Sequence, residues 1–178
     1  MAITINGTGT ITGISAGGLP DAIITQSELV ANVASNGPAF FVRPSASQTV
    51  TSGVSTKIQL DTEDFDTNSN FDTSTYKFTP TVAGYYQISC SLRGTGTSTN
   101  TQTAVTLYKN GSPYINAVST SSSGTQFPAF STLIYMNGTT DYIEFYGNVN
   151  GTGTLTFGRI NADNSYAIWA SGCLVRSA

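Results

Sequence analysis

From Phe40 onward the chain is built of short runs in which apolar and polar residues alternate, each closed by Gly, Asn or Pro. The clearest run follows Gly84. Alternation places Tyr86, Ile88 and Cys90 on one side of a strand and Tyr85, Gln87 and Ser89 on the other. In Thr139 to Val149 the same rule puts Ile143 and Phe145 in a core and leaves Tyr142, Glu144 and Tyr146 on the opposite face. Phe71 and Phe78 flank the segment before Gly84. Pro80 sits just ahead of the strand, where a residue without an N–H does least harm to a sheet.

Turn signals separate these runs. Asn6-Gly7, Asn110-Gly111, Asn137-Gly138 and Asn150-Gly151 are each followed by Ser or Thr, the acceptor pattern for N-linked glycans. The N-terminus, however, lacks a basic region followed by an apolar stretch of the kind that directs secretion. Asn-Gly is also the strongest two-residue hairpin signal, because both positions tolerate positive φ. All of these pairs are therefore read as turns.

The residues before Phe40 follow a different pattern. Ile3, Ile5, Ile11 and Ile14 lie in β-prone pieces interrupted by glycine, too small to fold without a partner. Gly7, Gly9 and Gly13 suggest a phosphate-cradling loop, but no strand, helix start and distant acid accompany them, and a turn-rich β segment is the better reading. After Pro20, Asp21 can cap a short helix through Asn32, with Ile23, Ser27, Val30 and Ala34 along one weakly apolar face; an extended linker fits nearly as well. Ser35 to Pro38 then breaks the pattern.

Composition agrees with an all-β chain. Its 178 residues suit one domain plus a short extension, and with only 10% charged residues and abundant Gly, Ser, Thr and Asn it favours strands joined by tight turns. No apolar run is long enough to cross a bilayer, so membrane insertion is not expected. The seven Lys and Arg are scattered singly in a chain of net charge −3, which provides no basic stripe for nucleic acid. There is no histidine. Ser-His-Asp and Cys-His catalysis and two-histidine zinc sites lose their central group, and no enzyme is expected. Paired carboxylates could still serve a glycosidase, but the acids fall mostly in one stretch.

That stretch holds Asp61, Glu63, Asp64, Asp66 and Asp72 between predicted strands. Clustered hard oxygen ligands make Asp61, Glu63, Asp64 and Asp66 weak candidates for calcium. A solvated acidic loop is favoured in the absence of EF-hand spacing, and no other cofactor is expected. Parity also separates the two cysteines. Cys90 belongs to the core face, whereas Cys173, alternating with Gly172 and Leu174, faces away. Because a disulfide needs Cβ atoms roughly 3.5 to 4.5 Å apart and pointing together, both thiols are expected to be reduced.

Three segments taken in order carry a family resemblance. Asn70 to Arg93 reads NFDTSTYKFTPTVAGYYQISCSLR, Val105 to Gly111 reads VTLYKNG, and Ser171 to Val175 reads SGCLV. Over roughly Pro38 to Val175 the chain resembles the globular head of complement component 1q and its tumour-necrosis-factor-like relatives. It departs at Cys173, where many relatives carry a phenylalanine or tyrosine. The resemblance implies an all-β, ten-stranded antiparallel jelly-roll sandwich over 38–178, assembled as a homotrimer. It also implies that Tyr85, Gln87, Tyr142, Glu144, Tyr146, Trp169 and Cys173 line the subunit interface.

The Thr/Gly-rich opening followed by Gly-Gly-Leu-Pro-Asp resembles the N-terminal attachment regions of bacteriophage fibre and other virion proteins. No Gly-X-Y repeat of a collagen stalk is present. These resemblances imply a virion surface protein made in the host cytoplasm. Residues 1–37 would anchor it to other virion proteins, and the head would act as a fibre tip or knob that adheres to a host surface glycan or protein. A capsid or tail decoration protein is the first alternative and a soluble lectin-like protein the second. Candidate receptor-binding loops are 94–103, 119–127 and 148–153, with Thr97, Asn100, Gln126, Phe127, Asn148 and Asn150 as the candidate residues.

Overall fold

A computed structural model describes residues 37–122, 124–159 and 166–178. The expectations for the anchoring segment, the Asn6-Gly7 turn and the helix after Asp21 lie outside these residues. In chain order the strands are β1 (Ala39–Arg43), β2 (Gln48–Val50), β3 (Thr56–Lys57), β4 (Thr62–Asp66), β5 (Phe71–Asp72), β6 (Lys77–Phe78) and β7 (Gly84–Ser91). They continue with β8 (Gly94–Gly96), β9 (Thr99–Lys109), β10 (Ser112–Thr120), β11 (Ala129–Met136), β12 (Ile143–Thr152), β13 (Leu155–Phe157) and β14 (Trp169–Ser177). The described residues thus hold fourteen strand segments rather than ten, because several are pieces of two or three residues that dock onto longer strands. No helix occurs among them.

All pairings are antiparallel. The first sheet runs β11-β7-β14-β1-β4 and the second β10-β9-β12-β6-β5, with β3 also on β12; β2, β13 and β8 form a small third sheet. Neighbours distant in sequence, such as β14 between β7 and β1, are the crossovers of a jelly roll. Between the two large sheets lies one core. The expected Tyr86, Ile88 and Cys90 of β7 enter it from one side, and Ile143 and Phe145 of β12 are buried with them. Phe40 stacks within 4.4 Å of Phe78, which meets Tyr86 edge-on at 5.6 Å. The Tyr86 hydroxyl donates to the carbonyl of Val82, and burial pushes its pKa up to about 12.

Two glycines make room for that core. A Cβ on Gly172 would lie 2.6 Å from both Ile88 and Phe40, and one on Gly147 would lie 2.5 Å from the Phe157 ring. Of the turn expectations, Asn110-Gly111 closes the β9-β10 hairpin with φ of 52° and 78°, as a two-residue type I′ turn requires. Asn137-Gly138 is also a turn, with the Asn137 side-chain oxygen accepting from the backbone N–H of Thr139, Thr140 and Asp141. Asn150-Gly151 is not. It lies inside β12 at a register shift against β9, and the chain reverses after it, at Gly153 with φ 79°. The acidic stretch is likewise corrected: Thr62–Asp66 is β4, the edge strand of the first sheet, and not a loop.

Candidate binding surfaces

The outer face of the first sheet follows directly from the buried parity of β7. Opposite Tyr85 stands Tyr135, their ring centres 5.5 Å apart, and opposite Gln87 stand Leu133 on one side and Cys173 on the other. Phe41 of β1 stacks on Trp169 at 5.8 Å and meets Phe65 of β4 at 6.3 Å. The polar members are tied among themselves, with the Gln87 amide donating to the Ser131 hydroxyl and Ser131 bonded to Ser89. A shallow cleft of about 330 Å³ opens between Phe41, Phe65, Gln87 and Cys173. The apolar members are left open: Leu133 is 55% exposed, Phe65 50% and Tyr85 49%.

The outer face of the second sheet is organised by charge. Glu144 is 5% exposed, yet it lies on the solvent side of β12, beneath Lys57 and Lys77, which both reach its carboxylate. Lys57 also donates to the carbonyl of Thr75, and the Lys77 ammonium sits 4.4 Å over the ring of Tyr142. Tyr146 packs on Tyr108 with ring centres 4.1 Å apart. Burial, with the Glu144 charge beside it, raises the Tyr146 phenol.

The seven residues grouped as an interface therefore divide. Tyr85, Gln87, Trp169 and Cys173 share the first sheet, while Glu144 and Tyr146 belong to the second, with Tyr142 just ahead of β12, on the opposite side of the sandwich. Parity distinguishes inside from outside but not one outside from the other. Leu133, Tyr135 and Phe65 were missed. In Leu133-Ile134-Tyr135-Met136 every residue is apolar, which hides the alternation between exposed Leu133 and Tyr135 and buried Ile134 and Met136.

Of the candidate loops, 94–103 and 148–153 prove to be largely strand, while 119–127 is strand only at Ser119 and Thr120 among the described residues. Asn100 and Gln126 are buried and cannot meet a receptor directly. Asn100 donates to the carbonyl of Gly94, while Gln126 donates to the carbonyl of Asn100 and accepts from the N–H of Thr103. This closed knot satisfies backbone groups where β8, β9 and Gln126 converge. Thr97 is exposed and its hydroxyl accepts from the N–H of Thr154. Phe127 is 51% exposed. Asn148 is half-buried on the second sheet, and Asn150 is held by its amide on Gln102.

The calcium candidates do not converge. Among the described residues no three His, Cys, Asp or Glu gather around one point. Asp61 accepts from the backbone and hydroxyl of Ser45; burial pushes its pKa up, but these bonds and that of Thr62 outweigh it and hold it below the usual range. Asp64 pairs with Arg43 at 2.8 Å, Asp66 accepts from the N–H of Asn68 and Phe71, and Glu63 is an exposed residue of the same strand. The cysteines stand as parity placed them. Cys90 is buried, Cys173 is exposed, and both are free thiols.

Comparison with known proteins places this geometry. A family model described as the C1q domain matches residues 39–157. Among solved structures, the globular domain of zebrafish complement 1qA is similar with a TM-score of 0.57 at 15% identity, covering 80% of this chain and 99% of that one. Murine APRIL at pH 5.0 is similar with a TM-score of 0.58 at 8% identity, covering 78% and 99%. At these identities the likeness is one of fold. No curated protein sequence matches the chain.

Proposed function

Because the chain belongs to the C1q domain family, whose members are typically trimeric and generally non-enzymatic binding modules, we propose that it is a homotrimeric bacteriophage virion protein that adheres to the host surface. Residues 1–37 attach it to other virion proteins, and the head from residue 38 stands on the particle as a fibre tip or knob. The observation that carries the trimer is the open outer face of the first sheet, where Tyr85, Leu133 and Tyr135 are exposed toward the β11 edge and Phe65 at the β4 edge. An apolar surface of this kind marks an interaction site. In a cyclic trimer each contact joins two different patches, so the first sheet of one subunit meets a different patch of the next. The virion setting rests on the Thr/Gly-rich opening and its Gly-Gly-Leu-Pro-Asp end. Adhesion then works by avidity, because three weak sites on one rigid body engage a repeated surface together.

The test uses the full-length chain. Labelled trimers bind susceptible cells and compete with intact particles for adsorption. A trimer that does neither, together with particles that lose heat resistance when the chain is absent, makes it a decoration protein instead.

A further inference from the structure

The second sheet carries a cleft at its edge strand β10. On the face away from the core, Asn116 of β10 stands opposite Thr106 of β9, which stands opposite Tyr146 of β12; in the next row Pro113 stands opposite Tyr108. Between Pro113 and Ile115 the register of β10 shifts, so Tyr114 is the extra residue of a bulge. Such bulges re-aim a side chain at a sheet edge. Here the result is a cleft of about 350 Å³ lined by Thr106, Tyr108, Pro113, Tyr114, Ile115 and Asn116.

The lining has a definite chemistry. Tyr108 is fixed in place by its packing on Tyr146, and Tyr114 is 50% exposed. The Asn116 amide and the Thr106 hydroxyl have no hydrogen-bond partner among the described residues, and each can both donate and accept. None of the six lining residues is charged. We infer that this cleft binds a neutral pyranose ring of a surface glycan. A pyranose has a C–H face suited to the electron-rich face of a phenol ring, and a rim of hydroxyls that donate and accept as the amide and Thr hydroxyl do. An acidic sugar or a phosphate would find no counter-charge in the lining. The nearby Lys57 and Lys77 are already committed to Glu144. The inference names the ligand class for the adhesive role proposed above and rests on that reading for its biological purpose. The binding itself is independent of it.

Saturation-transfer NMR on the full-length trimer, with the methyl glycosides of glucose, galactose, mannose and N-acetylglucosamine, tests the site. At least one of them is bound, while methyl glucuronide and a decaproline peptide are not. Tyr114→Ala and Asn116→Ala each weaken that binding about tenfold or more, as removal of a central contact does. Both side chains are exposed, and circular dichroism and sedimentation of the variants check that fold and assembly survive. Failure of every neutral glycoside, binding that persists in both variants, or preference for glucuronide or decaproline overturns the inference. If the chain adheres to cells and Tyr114→Ala adheres equally, the cleft is refuted and adhesion stands. If glycosides bind but cells do not, the cleft stands and adhesion falls.

Discussion

The two outer faces of the sandwich both carry aromatic residues and differ in what covers them. On the second sheet the rings on and beside β12 are covered from within the subunit, since Tyr108 and Tyr146 pack on each other and Lys77 lies over Tyr142 with its charge taken by Glu144, and Tyr114 at the β10 edge is the exception. On the first sheet Tyr85 and Tyr135 meet each other across the strands, the Lys109 ammonium approaches the Tyr135 ring from 5.9 Å, and Leu133 stands beside them uncovered. Aromatic content alone does not mark an interface. What marks it is apolar area that the subunit's own polar side chains do not reach.

A matched pair of substitutions breaks or upholds this distinction with the largest effect. Leu133 and Val118 are apolar strand residues of similar exposure, 55% and 49%, one on each large sheet. Leu133→Arg places a charge in the first face and converts the trimer to monomers at micromolar concentration in sedimentation velocity. Val118→Arg, on the second sheet, leaves the sedimentation coefficient unchanged. If Val118→Arg is the one that dissociates, the faces have been assigned the wrong way round, and if both variants stay trimeric the contact lies on neither.

The next test removes the internal cover. Glu144 has a side chain 6% exposed beneath two ammonium groups, of which Lys57 is 25% and Lys77 36% exposed. Glu144→Gln leaves both cations without their carboxylate and costs about 3 kcal/mol in urea unfolding, in line with breaking a largely buried pair. Lys77→Gln leaves the Lys57 contact intact and costs less than about 1 kcal/mol, as for a more exposed partner. Equal effects would mean that the cluster is not what closes this face.

How much of this was legible depended on the range over which each residue finds its partner. The burial of Tyr86, Ile88 and Cys90 was readable because strand parity is local, and the Asn110-Gly111 turn because positive φ at both positions is a property of those two residues. Which sheet a strand joins was not readable. Tyr85 and Tyr146 look alike in sequence, and only the pairing of β7 with β11 and β14, and of β12 with β9 and β6, sends them to opposite sides. The acids from Asp61 to Asp66 read as a loop because their partners are far along the chain, Arg43 for Asp64 and Ser45 for Asp61. Asn100 and Gln126 read as surface residues in the sequence for the same reason. Their polarity serves backbone groups of other strands rather than solvent.

That misreading supplies a smaller, sharper test on neighbouring residues. Gln126→Ala leaves the buried N–H of Thr103 and carbonyl of Asn100 without partners and lowers stability by about 2 kcal/mol. Phe127→Ala, one residue on and 51% exposed, changes unfolding by less than about 0.5 kcal/mol. Reversed magnitudes would put Phe127 rather than Gln126 in the structural role.

The least perturbing probe is the pair of thiols, because it reports on the first face without changing any residue. Cys173 is exposed, stands opposite Gln87 and Ala39, and lies on the face proposed to pair. Cys90 is on the neighbouring strand, opposite Ala170, but points into the core, where burial pushes its thiol pKa up and keeps it in the unreactive protonated form. Denatured without reductant, each chain titrates two free thiols, since side chains on opposite faces of a sheet cannot meet the geometry of a disulfide. In the native Leu133→Arg monomer, maleimide labels one thiol, Cys173. In the wild-type trimer that labelling slows, and Cys90 reacts in neither until the chain unfolds. Cys173→Ser shifts stability by no more than about 0.5 kcal/mol, as expected for an exposed position, so loss of the labelled band assigns the reactive thiol without altering the fold. Rapid labelling of Cys173 in the intact trimer would move the subunit contact off this part of the sheet, and slow labelling in the monomer would show that something other than a neighbouring subunit covers it.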